Sequence, residues 1–162
     1  MRLRIPEATY FISKTTSDNK ATLTQEKIAT IVINAFKYIS LNKHAHIHSY
    51  VLMPTHYHMI ISLNDHEDIS RIIHSINSYT AHQISKLIHQ KSIWDNITWD
   101  EVIRNEEMYY QKLAYILLNP WRKRIVKSPF DPYQYSNLEE ICKLYGKEYL
   151  VDLFERYKRF GE

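Results

Sequence analysis

Residues Tyr50 to Leu63 read Tyr-Val-Leu-Met-Pro-Thr-His-Tyr-His-Met-Ile-Ile-Ser-Leu, and they constrain the fold more than any other stretch of the chain. The apolar runs on either side are strand-like, and Pro54 separates them because it has no amide hydrogen to give a ladder. A connection as short as Pro54-Thr55 requires the strands His44 to Met53 and His56 to Leu63 to pair antiparallel, as a hairpin. Alternation then puts His56 and His58 on one face, about 7 Å apart along the strand, with Tyr57, Met59 and Ile61 on the other. Two imidazoles so placed can converge on one divalent ion, although the polar side of any amphipathic strand can hold histidines without a ligand. His44, His46 and His48 share a face of the preceding strand and form a rival metal site at a helix exit, where solvated histidines are ordinary.

The rest of the chain supplies elements to pack on this hairpin. Ala8 to Thr15 is aromatic and β-branched, which predicts a first strand, and Ser17-Asp18-Asn19 turns it. Ile28, Ile31, Val32, Ala35, Phe36 and Ile39 recur at helical spacing, with Thr24 as the expected cap. Asp68 caps a second helix whose apolar positions run Ile69, Ile72, Ile73, Ile76, Tyr79, Ile84, Leu87 and Ile88 to about His89. Its charges and amides are expected to face solvent. Ile93 to Arg104 predicts one short strand, and Asn105 followed by Glu106-Glu107 starts a helix expected to end at Pro120. Ser136 is the expected cap of a further helix with Leu138, Ile141, Cys142 and Leu144 as its buried edge, and a last helix covers about Val151 to Phe160. The order predicts an α+β, ferredoxin-like antiparallel sheet with packed helices and C-terminal helical additions.

Composition narrows the classes of function. A chain of 162 residues with 44% apolar content suits a single domain over residues 1–162, of which 136–162 form a helical extension. No apolar run reaches the roughly 18 residues of a membrane span, and the opening Met-Arg-Leu-Arg-Ile-Pro leads into no long apolar segment, so a cytoplasmic location is expected. Cys142 is the single cysteine, which excludes an intrachain disulfide and a thiolate metal cluster. Two glycines leave no Gly-rich phosphate loop, and a net charge of +3 permits a nucleic-acid partner without requiring one.

On a helical wheel, Tyr109, Tyr110, Leu113, Ile116 and Leu117 cluster on one side of the helix from Glu106 and are expected to be its core face. Gln111, Tyr115 and Asn119 lie at i, i+4 and i+8, a stripe on nearly the opposite side, with Ala114 and Leu118 flanking it. Tyr115 is therefore expected beside a pocket and not against the sheet.

Met53-Pro54-Thr55-His56-Tyr57-His58 followed by Tyr115-Ile116-Leu117-Leu118-Asn119-Pro120 resembles the single-tyrosine transposases of the HUH superfamily, in particular their REP-associated branch. The resemblance covers residues 8 to 137 in order and spacing. It departs from the family at Thr55, where Asn is frequent, and at Trp121, where a small residue is frequent. What it implies is a metal-dependent transposase and single-strand DNA endonuclease that cleaves and rejoins single-stranded or hairpin DNA through a 5′-phosphotyrosine. In that scheme Tyr115 is the catalytic nucleophile, and His56, His58 and Asn119 hold Mg²⁺ or Mn²⁺, a mixed nitrogen and oxygen set that suits either ion. Arg122, Lys123, Arg124 and Lys127 follow the helix, and Arg156, Lys158 and Arg159 are interleaved with Tyr157 and Phe160. Both sets can grip phosphates while aromatics stack bases, or form a solvated basic face. The protein would act as a monomer or a homodimer. Two rival readings stay open: a nonenzymatic, domesticated nucleic-acid-binding module on the same fold, and a metal hydrolase in which His56 and His58 activate water.

Overall fold

The computed structural model describes residues 8–42, 44–64 and 66–159. The strands are β1 (Thr9–Thr16), β2 (Ala45–Leu52), β3 (His56–Leu63) and β4 (Trp94–Val102). The helices are α1 (Glu26–Leu41), α2 (Ile69–Ile88), α3 (Glu106–Arg122), α4 (Leu138–Tyr145) and α5 (Lys147–Tyr157). The four strands form one antiparallel sheet in the order β2-β3-β1-β4. Two crossovers on one side of such a sheet, through α1 and α2, make the predicted ferredoxin-like topology.

Period-two alternation divides the core between the two faces. Ile12, Tyr57, Met59 and Ile61 point to the side covered by α1 and α2, where they pack with Val32, Phe36, Ile73 and Ile76. Phe11, Val51, Met53 and Ile60 point to the other side, under α3, α4 and α5. Burial of these apolar side chains, worth about 1.5–3 kcal/mol for each large one, holds both helical layers to the sheet. The sheet-side polar groups are also met inside the protein: the buried Tyr57 hydroxyl donates to Asn77 Oδ1 at 2.9 Å. Asn77 therefore turns inward from α2, against the expectation that its amides face solvent.

The two edges of the sheet are treated differently. The outer edge of β2 is closed by the segment before α4. Leu52 N–H donates to Tyr135 C=O, the Tyr133 hydroxyl donates to Leu52 C=O, and Val51 bridges Ser136. Asn137, nearly buried, accepts from Ser49 Oγ and Tyr50 N–H while its Nδ2 donates to His48 C=O, so one side chain imitates a neighbouring strand. β4 is the other edge, paired only with β1 in this sheet.

Several sequence expectations are corrected by packing. Thr24 is not the cap of α1, which starts at Glu26 with no side-chain cap bond, whereas Asp68 and Asn105 cap α2 and α3 by accepting from Arg71 N–H and Met108 N–H. Pro120 does not end α3. It sits in the last turn, where its ring costs one helical bond and is buried, and the helix ends at Arg122, with Arg124 just beyond the Lys123 cap taking the left-handed conformation at φ 59°. Leu144 is 69% exposed, and Tyr79 and Leu87 also face outward, because their neighbours on α4 and α2 already fill the seam. The last helix begins earlier than expected, at Lys147, and Phe160 lies outside the described residues.

Candidate active site

The turn that launches β3 is anchored on three sides. Met53 N–H donates to His56 C=O, Thr16 N–H to Thr55 C=O, and Leu23 N–H to Pro54 C=O. This fixes the start of β3, so His56 and His58 emerge on the α3 face as alternation requires, with ring centroids 4.7 Å apart. Thr55 Oγ1 lies 3.1 Å from His56 Nδ1. Phe11, from the adjacent β1, stacks on the His58 ring at 5.4 Å and 20°.

α3 brings the other half. Tyr115 meets the His58 ring edge to face at 5.2 Å and Phe11 at 6.0 Å. The stripe carrying Tyr115 therefore does face the sheet, contrary to the wheel argument: α3 is held between sheet and α5, and both of its sides are covered. Tyr115 remains partly exposed at the edge of this contact, while Asn119 one turn on is only 2% exposed. Tyr109 and Tyr110 take the packing roles expected of them. Tyr109 is buried with its hydroxyl 3.2 Å from His48 Nδ1, and burial raises its phenol pKa further above the ordinary range.

Both site histidines are held neutral. Burial lowers the His58 pKa to about 3, helped by the charges of His56, Lys112 and Lys123. Burial, then the charge of Lys123, lowers that of His56, and the neighbouring Asn119 amide opposes the shift. A neutral imidazole keeps the lone pair that a cation requires. His58 Nδ1 and Asn119 Oδ1 are moreover buried without a hydrogen-bond partner of good geometry. Leaving such atoms unsatisfied costs about 1–3 kcal/mol each, so two beside one tyrosine mark a place built to receive something polar.

The rival set does not assemble in this way. A bulge at His48 turns its ring against His46 at 4.5 Å, but both His48 nitrogens are engaged, by Ser62 Oγ at 2.6 Å and by Tyr109. His44 pairs with Glu67 instead. Among the described residues no three His, Cys, Asp or Glu side chains converge on a common point.

The basic residues separate into distinct roles. Arg122 Nη2 donates to the carbonyls of Lys158 at 2.7 Å and Tyr157 at 3.4 Å, and the guanidinium lies 5.7 Å from the Tyr115 ring. It thus ties the end of α5 to the end of α3. Lys123, Arg124 and Lys127 are exposed, as are Lys158 and Arg159. Arg156 lines a groove with Glu106, Asp152 and Glu155, an acidic setting less suited to phosphate. Sequence reasoning did not single out Phe11 or Lys112. Lys112, one turn before Tyr115, bridges Glu101 of β4 at 2.8 Å and sits 4.5 Å over the Phe11 ring. Its helical position relative to Tyr115 was visible, but its partner on β4 was not.

The family described as Transposase IS200 like matches residues 8–103, more than half of the chain, and the chain belongs to that family of enzymes acting on DNA. The match spans the sheet and both histidines and ends before α3. No curated protein matches the chain in sequence. Among solved structures, a REP-associated tyrosine transposase bound to a REP hairpin superposes with a TM-score of 0.72 at 23% identity, covering 88% of this chain and 84% of that one. A Deinococcus radiodurans R1 protein assigned as a transposase superposes with a TM-score of 0.54 at 14% identity, covering 72% of this chain and 93% of the other. At these identities the likeness is one of fold. Among the described residues no helix is long and apolar enough to cross a membrane.

Proposed function

We propose that the chain cleaves and rejoins single-stranded, hairpin-associated DNA through a covalent bond to Tyr115. The observation that carries this reading is the contact of the partly exposed Tyr115 ring with His58, whose buried Nδ1 has no hydrogen-bond partner, beside the buried Asn119 amide that neighbours His56. The Tyr115 phenol gives up its proton as its oxygen bonds to a backbone phosphorus, the bond from phosphorus to the 3′ oxygen breaks with its electron pair leaving on that oxygen, and the 3′ oxygen takes up a proton to become a hydroxyl. Phosphate exchange conserves the bond energy, so a 3′ hydroxyl can later displace Tyr115 and rejoin a strand. Phe11 holds the His58 and Tyr115 rings in register, the Asn119 amide stands beside His56, and Lys123 supplies positive charge at the phosphate.

The donor set of His56, His58 and Asn119 fits Mg²⁺ or Mn²⁺, because burial favours the neutral imidazoles and the buried amide oxygen beside His56 is held by no hydrogen bond of good geometry. Such an ion would neutralise the phosphate and stabilise charge on the leaving oxygen. Hairpin DNA as the substrate is supported by the bound partner of the structurally similar REP-associated transposase. The deciding experiment is incubation with labelled single-stranded hairpin oligonucleotides drawn from DNA flanking the gene, with and without Mn²⁺, followed by denaturing electrophoresis. A labelled protein–DNA adduct that maps to Tyr115 is expected. Cleavage with free 5′ phosphate and no adduct would favour a hydrolase, and binding without cleavage would favour a nonenzymatic module.

A further inference from the structure

α3 lies mainly over β2 and β3 and reaches the β1 and β4 half of the same sheet face only at Phe11 and Glu101, so the stretch of that half beyond them is left open. Ser13 and Thr15 of β1 are only partly buried there, and on β4 Trp99 is 62% and Ile97 72% exposed. The register makes this shelf continuous with the candidate active site. Trp99 pairs with Ser13, and Ser13 pairs with His58, so all three side chains stand in one row on one face. Two strand spacings separate Trp99 from His58, about 10 Å. The boundary of the shelf toward α3 is cationic. Lys112 stands over Phe11, and the charges of Lys112 and Lys123 both reach His58.

A large ring left in water beside cations and next to a candidate phosphate site fits an unpaired base of a single strand, since every base presents a face on which an indole stacks. A second copy of the chain fits less well. β4 carries Asp95, Asp100 and Glu101 and no basic residue, so antiparallel self-pairing at this edge would oppose like charges. Toward DNA the two acids nearest Trp99 are less obstructive, because Asp100 pairs with Ile12 on the opposite face and Glu101 is paired with Lys112.

We infer that Trp99 is a base-stacking platform for an unpaired nucleotide flanking the phosphate at Tyr115, with Ser13 as the floor between them. The inference rests on the proposed strand-cleavage reading and adds to it the residue that receives a neighbouring base. The test measures binding of oligothymidylate, and of an abasic strand of equal length, to the full chain and to Trp99→Ala and Trp99→Phe. Trp99→Ala should bind oligothymidylate roughly 5- to 100-fold more weakly, the ratio expected for one lost base–aromatic stack, and the abasic strand unchanged. Trp99→Phe should retain most of the affinity while losing the fluorescence quenching that oligothymidylate produces in the wild type. Unchanged oligothymidylate binding by Trp99→Ala, in a wild type that forms the Tyr115 adduct, overturns the platform alone. Equal losses on both strands overturn it as well, as does a wild-type dimer in sedimentation that Trp99→Ala converts to monomer. A wild type that binds neither strand overturns the platform and the strand-cleavage reading together.

Discussion

The ring of Phe11 lies nearly parallel to that of His58, 5.4 Å away and inclined by only 20°, while Tyr115 closes on both rings from α3. Phe11 is thus the support that keeps a buried, neutral imidazole in one orientation, and it comes from a different strand.

Replacing that support should affect stability and ion binding to different degrees. Phe11→Ala is expected to cost about 3–5 kcal/mol in urea denaturation, as for other buried aromatic truncations. Phe11→Leu keeps most of the volume and should fold, yet weaken Mn²⁺ binding on the order of tenfold, as loss of an orienting neighbour does. Calorimetric titration that finds wild-type Mn²⁺ affinity in Phe11→Leu would show that His58 needs no such support.

The three tyrosines of α3 should divide cleanly in function. Tyr115→Phe removes one oxygen and keeps the contacts with Phe11 and His58, so it should bind DNA but form no covalent adduct. Tyr109→Phe loses the contact to His48 Nδ1 and Tyr110→Phe loses a partly buried hydroxyl bonded to Glu106, and both should still form the adduct. Mass spectrometry that places the phosphate on either of these two would refute the assignment.

Arg122 and Lys123 are neighbours with different expected effects. Arg122 donates to the carbonyls that end α5, so Arg122→Ala should lower stability by about 1.5–3 kcal/mol, the usual worth of a charged hydrogen bond. Lys123→Ala should leave the melting temperature in place and reduce both DNA affinity and its salt slope. If the two variants exchanged these effects, the division between tether and phosphate contact would be wrong.

Acid should destabilise the fold through its neutral histidines. Burial lowers His48 to about 4 and His58 to about 3, against about 6.5 in an unfolded chain. Between these limits the unfolded state binds more protons, so stability is full above about pH 6.5 and is lost as pH falls toward 4. Urea midpoints across pH 5 to 7 should follow this slope, and His48→Asn should flatten it. A wild-type midpoint independent of pH in that window would contradict the buried neutral state.

Relations within one element were legible from the chain alone, because backbone geometry sets them. The turn at Pro54 placed His56 and His58 on one strand face, helical spacing placed Asn119 one turn after Tyr115, and short-range capping marked Asp68 and Asn105. From these the antiparallel sheet and its order of elements followed. Relations between elements were not legible in the same way. Whether the Tyr115 stripe met the sheet depended on α5 covering the other side of α3, and a wheel drawn for one helix has no knowledge of a second layer. Pro120 stayed helical because its ring is buried, Arg122 became a tether because α5 ends beside it, and Phe11 joined the site only through strand pairing across about fifty residues of sequence. The exposed position of Trp99 belongs to this second group, since aromatic composition marks a strand but only the placement of α3 decides which half of its face remains open.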